Sequence, residues 1–94
     1  MARKKLAAEE IAEQIGELKS WAVEGENLKK RFAFENFAEA LEFVNKVGAI
    51  AEERDHHPDI TLGWGYAEFA VTTHDADGLT ARDFELAKRI EEIG

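Results

Sequence analysis

The sequence predicts an α+β fold: a single domain spanning residues 1–94, in which a four-stranded antiparallel sheet carries three helices on one face, in the order α-β-β-α-β-β-α. Three observations predict it. Ninety-four residues support one hydrophobic core and leave too little for a second. Three stretches repeat their apolar residues at helical spacing. Two further stretches alternate apolar and polar residues on either side of a turn-prone glycine. A sheet with helices on one face is the layer arrangement that covers all of these apolar surfaces.

Taken in order, Ala8, Ile11, Ile15 and Leu18 recur at helical spacing while Glu9, Glu10, Glu13 and Lys19 fall elsewhere on the wheel, which predicts a first amphipathic helix. Trp21 and Val23, then Leu28, Phe32 and Phe34, alternate about Gly25-Glu26-Asn27 and predict a hairpin whose apolar face Lys30 interrupts. Asn36 with Glu39 three residues on is an N-cap signature, and a helical pattern follows from Phe37 to about Glu53. That helix carries two apolar stripes, one of Phe37, Leu41, Val44 and Ala51 and a second of Ala40, Phe43, Val47 and Ile50. One sheet cannot cover both. The expectation is that the first stripe packs on the sheet and a second copy of the chain covers the other, giving a homodimer or homotetramer. Ile60, Leu62 and Trp64, then Phe69 and Val71, alternate around Gly65 as a second hairpin, with Trp64 and Tyr66 in its packing and Trp21 in the core. Thr80-Ala81-Arg82-Asp83 matches a capping box in its acidic form and opens a last helix with Phe84, Leu86, Ala87, Ile90 and Ile93 inward.

Composition narrows the function. With 45% hydrophobic and 10% aromatic residues the chain folds without staples. A net charge of −8 repels phosphate backbones and anionic headgroups, which sets aside nucleic acid and membrane surfaces as partners. The chain has no cysteine, so disulfides, thiolate nucleophiles and cysteine-ligated zinc are absent and a reducing, cytoplasmic setting fits. Arg3, Lys4 and Lys5 could open a signal peptide, but Glu9 and Glu10 interrupt before an apolar stretch forms. No apolar run approaches the roughly 18 residues of a membrane span.

The chemistry-bearing residues cluster at element ends. His56 and His57 stand in Asp55-His56-His57-Pro58, where Pro58 ends the long helix and holds His57 extended. His74, preceded by Thr73, follows the last strand. Both places can meet at one rim of the sheet. Histidine exchanges protons near neutral pH, so converging imidazoles suit proton donation and removal, and Glu52, Asp55 and Asp83 are carboxylates placed to orient them. The single serine, Ser20, offers no nucleophile beside them. Adjacent histidines diverge, and no HExxH-like spacing occurs, so no metal site is expected. The plainer alternative is a solvated histidine pair complementing a helix dipole.

The segment Glu52 to Pro58 (EERDHHP), the spacing to Thr72-Thr73-His74, and Gly78-Leu79-Thr80 with Asp83 resemble the signature of the pterin-4a-carbinolamine dehydratases. Phe32 to Phe37 (FAFENF), Leu62 to Tyr66 (LGWGY) and Trp21 are similar to family members too, so the resemblance spans nearly the whole chain; it departs at Ile60, where an aromatic is common, and at Asp77. The resemblance implies a hydro-lyase acting in tetrahydrobiopterin recycling, which dehydrates 4a-hydroxytetrahydropterin to quinonoid dihydropterin without a cofactor. It implies His56, His57 and His74 as the active-site histidines, with His56 and His74 as the proton-transfer pair and His57 holding the pterin. Glu52, Asp55, Thr73 and Asp83 would bind or orient. Some animal members also serve as dimerisation cofactors, so the competing expectation is a non-catalytic interaction module of the same fold.

Overall fold

The structure, a computed structural model, describes residues 4–93. Met1, Ala2, Arg3 and Gly94 lie outside the described residues, and with them the first of the three basic N-terminal residues and both ends of the predicted domain. The elements follow the predicted order: α1 (Ala8–Ile15), β1 (Ala22–Glu24), β2 (Asn27–Ala33), α2 (Phe37–Arg54), β3 (Asp59–Gly63), β4 (Tyr66–Val71) and α3 (Ala81–Ile93). One turn of 3-10 helix, His74–Ala76, is added between β4 and α3.

The four strands form one antiparallel sheet in the order β1-β2-β4-β3. In the β1–β2 hairpin Gly25 has φ +60 at the first position of a two-residue turn, where a positive φ matches the twist of the flanking strands. Asn27 therefore belongs to β2 and not to the turn. Register places Leu28 opposite Val71, Lys30 opposite Phe69 and Phe32 opposite Ala67, so these residues share one face. Leu28, Ala67, Phe69 and Val71 are buried there in one cluster with Phe43 and Val47 of α2 and Phe84, Leu86, Ala87 and Ile90 of α3. The opposite face carries Lys29, Arg31 and Glu68, joined in ion pairs at 3.4–3.9 Å.

Lys30 does not break the apolar face. Its stem carries the ammonium over the Phe32 ring, 4.4 Å from the centroid, to Glu91 Oε2 at 2.7 Å. Trp21, buried just before β1, donates its Nε1–H to the same oxygen at 2.8 Å.

Three further expectations are corrected. The first helix ends at Ile15, with Leu18 buried in the turn beyond it, and α1 lends only partly buried Ile11 and Ile15 to the core. Trp64 is no strand residue; it stands at the β3–β4 turn and is 73% exposed, while the Tyr66 ring lies where a Cβ on Gly63 would be. The stripe of α2 that faces the sheet is not the one expected. Ala40, Phe43 and Val47 of the second stripe are buried, together with Ala51 of the first, whereas Phe37 and Leu41 are 44% and 41% exposed and Val44 and Ile50 are partly buried. The aromatic contacts explain this: Phe43 meets Phe32, Phe34 and Phe69 at 4.9–5.8 Å between centroids, and periodicity cannot weigh one stripe's cross-sheet partners against the other's. Among the described residues no helix is long and apolar enough to cross a membrane.

Candidate active site

The end of α2 presents the histidine pair. Asp55 takes the left-handed conformation (φ 52), its N–H donates to Glu52 O at 3.2 Å, and His56 N–H donates to Ala51 O at 3.1 Å. This is a Schellman closure, with an aspartate where glycine is usual. The chain then runs extended through His57 and Pro58 into β3.

The first turn of α3 faces it. Asp83 is fully buried, and its Oδ2 accepts from Thr80 N–H at 2.8 Å and from Thr73 Oγ1–H at 2.9 Å. The first contact is the predicted capping box; the second ties it to β4's exit. Asp83 Oδ1 lies 2.6 Å from His56 Nε2, and His56 is itself buried at 8% exposure. Proton positions follow by elimination. Arg82 N–H donates to Thr80 Oγ1 at 3.2 Å, and Thr73 gives its only hydroxyl proton to Asp83. Thr80 must then donate across the 2.9 Å contact to Thr73 Oγ1. Every donor in the chain points toward the carboxylate, so His56 carries a proton on Nε2 and the lone pair of the neutral ring is on Nδ1.

His57 is arranged differently. Its Nε2 meets Glu52 Oε2 at 2.5 Å, but the side chains are 53% and 79% exposed, so this pair orients the ring without desolvating it. His74 opens the 3-10 turn, in a loop closed by paired backbone hydrogen bonds between Thr73 and Gly78 at 3.3 and 3.4 Å, and its side chain is exposed. A recess of about 310 Å³ joins the pieces, lined by Asp55, His56, His57, Thr72, Thr73, His74 and Asp75. That volume sits at the small end of ligand pockets.

Of the residues singled out in the sequence, His56, His57, His74, Thr73 and Asp55 line this recess. Asp83 and Glu52 stand behind two of the histidines. Asp55 contributes its backbone turn and not a contact to an imidazole. Thr80 and Arg82 were missed as site residues: the Thr80 to Asp83 box is a visible helix-start signal, and nothing in it announces that its aspartate is shared with an imidazole. Among the described residues no group of three His, Asp or Glu side chains is placed to hold a metal ion.

The fold and this rim define a class: small α+β proteins that hold imidazoles on carboxylates at one end of an antiparallel sheet. Residues 4–93 match the family model described as pterin 4 alpha carbinolamine dehydratase. The chain belongs to the pterin-4a-carbinolamine dehydratase family. A relative from Rubrobacter xylanophilus, whose name provisionally assigns it as a pterin-4-alpha-carbinolamine dehydratase, is 48% identical over 89 residues, covering 94% of this chain and 83% of that one. One of the same provisional name from Sulfolobus acidocaldarius is 45% identical, covering 95% and 98%. A crystal structure of a transcriptional coactivator/pterin dehydratase from Brucella melitensis superposes with a TM-score of 0.91 at 28% identity, covering 96% of this chain and 98% of that one. A pterin dehydratase-like protein described as a RuBisCO assembly factor shares the fold, with a TM-score of 0.64 at 24% identity over 78% of this chain and 84% of that one.

Proposed function

We propose that this chain dehydrates 4a-hydroxytetrahydropterin to quinonoid dihydropterin by histidine acid–base catalysis, in the recycling of a tetrahydropterin such as tetrahydrobiopterin. The observation that carries the reading is the buried His56–Asp83 contact at the edge of a small recess that His56, His57 and His74 line together. In the reaction the C4a–O bond breaks, the departing oxygen takes a proton and leaves as water, and the lone pair of the adjacent ring nitrogen forms the new C=N bond. A ring N–H proton then passes to a base. His56 and His74 are the proton-transfer pair, one held on a buried carboxylate and one exposed. His57, steadied by Glu52, holds the pterin, and Asp55 and Thr73 shape the wall. The chemistry is complete with these side chains and needs no cofactor. A cysteine-free chain suits the cytoplasm.

Self-association belongs to the same proposal, through a different stripe from the one expected. Phe37, Leu41, Val44 and Gly48 fall within about 60° of one another at 3.6 residues per turn. Phe37 and Leu41 are exposed, and a Cβ on Gly48 would meet nothing within 4 Å. A mid-helix glycine with no neighbour to make room for is unfavourable in one copy alone and suits close approach of a second helix. Rapid mixing of chemically generated 4a-hydroxytetrahydropterin with the protein tests the catalytic reading. Accelerated decay above the spontaneous rate supports it, and decay at the spontaneous rate leaves the fold to a non-catalytic interaction module.

A further inference from the structure

Arg82 stands next to Asp83 in the first turn of α3, yet its side chain turns to the other helix. Its Nη2 donates to Arg54 O at 3.0 Å and to Asp55 O at 2.9 Å. These carbonyls lie where α2 has run out of its own N–H partners, and Asp55 is the left-handed residue that swings the chain into His56. The backbone entering His56 and the ring leaving it are thus gripped by consecutive residues, Arg82 and Asp83. Besides the His56–Asp83 contact, the other polar tie between these helix ends among the described residues is Arg54 Nη1 to Glu85 Oε1 at 3.5 Å, an exposed pair of little strength. Arg82 Nη1 is buried without a partner among the described residues.

We propose that Arg82 is a positioning residue: by fixing the Arg54 and Asp55 carbonyls it keeps His56 Nε2 on Asp83 and holds the ring at the recess it lines. The inference rests on the proposed role of His56, but its first readout does not. Arg82→Met keeps an apolar stem and removes both hydrogen bonds. In ligand-free protein labelled with nitrogen-15, the ring nitrogens of His56 report its tautomer directly. Arg82→Met is expected to shift them from a pure Nε2–H pattern to a mixture, and Glu85→Gln, which removes only the exposed tie, to leave them as in wild type. With the 4a-hydroxypterin, kcat of Arg82→Met should fall about tenfold or more with KM within about twofold, as displacement of a proton-transfer group by part of an ångström does. Should the methionine variant fail to fold, Arg82→Gln, too short to span both carbonyls, is read the same way. Wild-type His56 signals in the folded Arg82 variant, or an equal shift in Glu85→Gln, would overturn the proposal. A wild-type protein without turnover would remove the catalytic reading and still leave the nitrogen signals to decide whether Arg82 sets the ring.

Discussion

Replacing Asp83 by asparagine changes one atom's chemistry and almost no volume, which makes the consequence calculable. The site imposes two donors on one side-chain oxygen, Thr80 N–H at 2.8 Å and Thr73 Oγ1–H at 2.9 Å, so the asparagine oxygen must take that place. Its NH₂ then faces His56 Nε2 across a gap of 2.6 Å in the wild type. Two N–H groups cannot share that gap. The imidazole must move its proton to Nδ1, and with Nε2 accepting from the amide the neutral ring has no free lone pair with which to accept a proton. General acid–base groups contribute about 10²- to 10⁴-fold, so kcat should drop by about that factor, with KM changing far less. Stability falls much less, because all three contacts persist, the third as a neutral amide-to-imidazole hydrogen bond. Exchanging a charged acceptor for a neutral one costs about 2 kcal/mol, which in a domain of this size lowers Tm by about 10 °C. Stopped-flow decay of the 4a-hydroxypterin measures the rate, thermal circular dichroism the stability, and nitrogen-15 spectra the tautomer. A folded Asp83→Asn protein within threefold of the wild-type rate would refute the tautomer argument, whatever its Tm.

Removing the His57 ring with His57→Ala should raise KM about tenfold or more at nearly unchanged Tm, because the pair it forms with Glu52 is exposed; a kcat loss matching that of His56→Ala would refute the holding role. Gly48→Ala should move two quantities in opposite directions. The new methyl has open space and improves helix propensity by about 0.5–1 kcal/mol, so the fold gains stability while the obstructed helix face weakens self-association in sedimentation equilibrium. A wild-type monomer at micromolar concentration would end that argument. Glu91→Ala strips Lys30 and Trp21 of their shared acceptor and should cost about 1–3 kcal/mol by chemical denaturation without altering turnover.

The order of elements was legible because each carries a local signal that tertiary packing reinforces: Asn36 accepts from Glu39 N–H as an N-cap, and Thr80 and Asp83 close the acidic capping box. What could not be read was the rotation of α2. Both of its stripes have helical period and similar hydrophobicity. The choice is made by Phe32, Phe34 and Phe69, which stack on Phe43 from positions 9 to 26 residues away in sequence. Lys30 misled for a related reason: a lysine at an inward register position is polar only at its tip, and the Glu91 that receives the tip arrives from the last helix.

In the site, the histidines were visible because their ring chemistry and Pro58 announce an irregular, functional segment, whereas their partners depended on distance in space. Asp83, expected beside an imidazole, lies 2.6 Å from His56 Nε2; Asp55, nearer in sequence, contributes a left-handed backbone turn. The physical reason lies in the economy of the first turn of α3. A helix start must satisfy free N–H groups, and a carboxylate placed to cap them has a second oxygen left over. When that helix start is packed against the end of another helix, the spare oxygen becomes a buried acceptor that cannot remain empty. His56 fills it, and in doing so fixes its own proton. The same helix start therefore folds the chain and, on the proposed mechanism, orients the His56 ring, so substitutions at Thr80 should register in both stability and turnover while those at His74, whose side chain is exposed, should register in turnover alone.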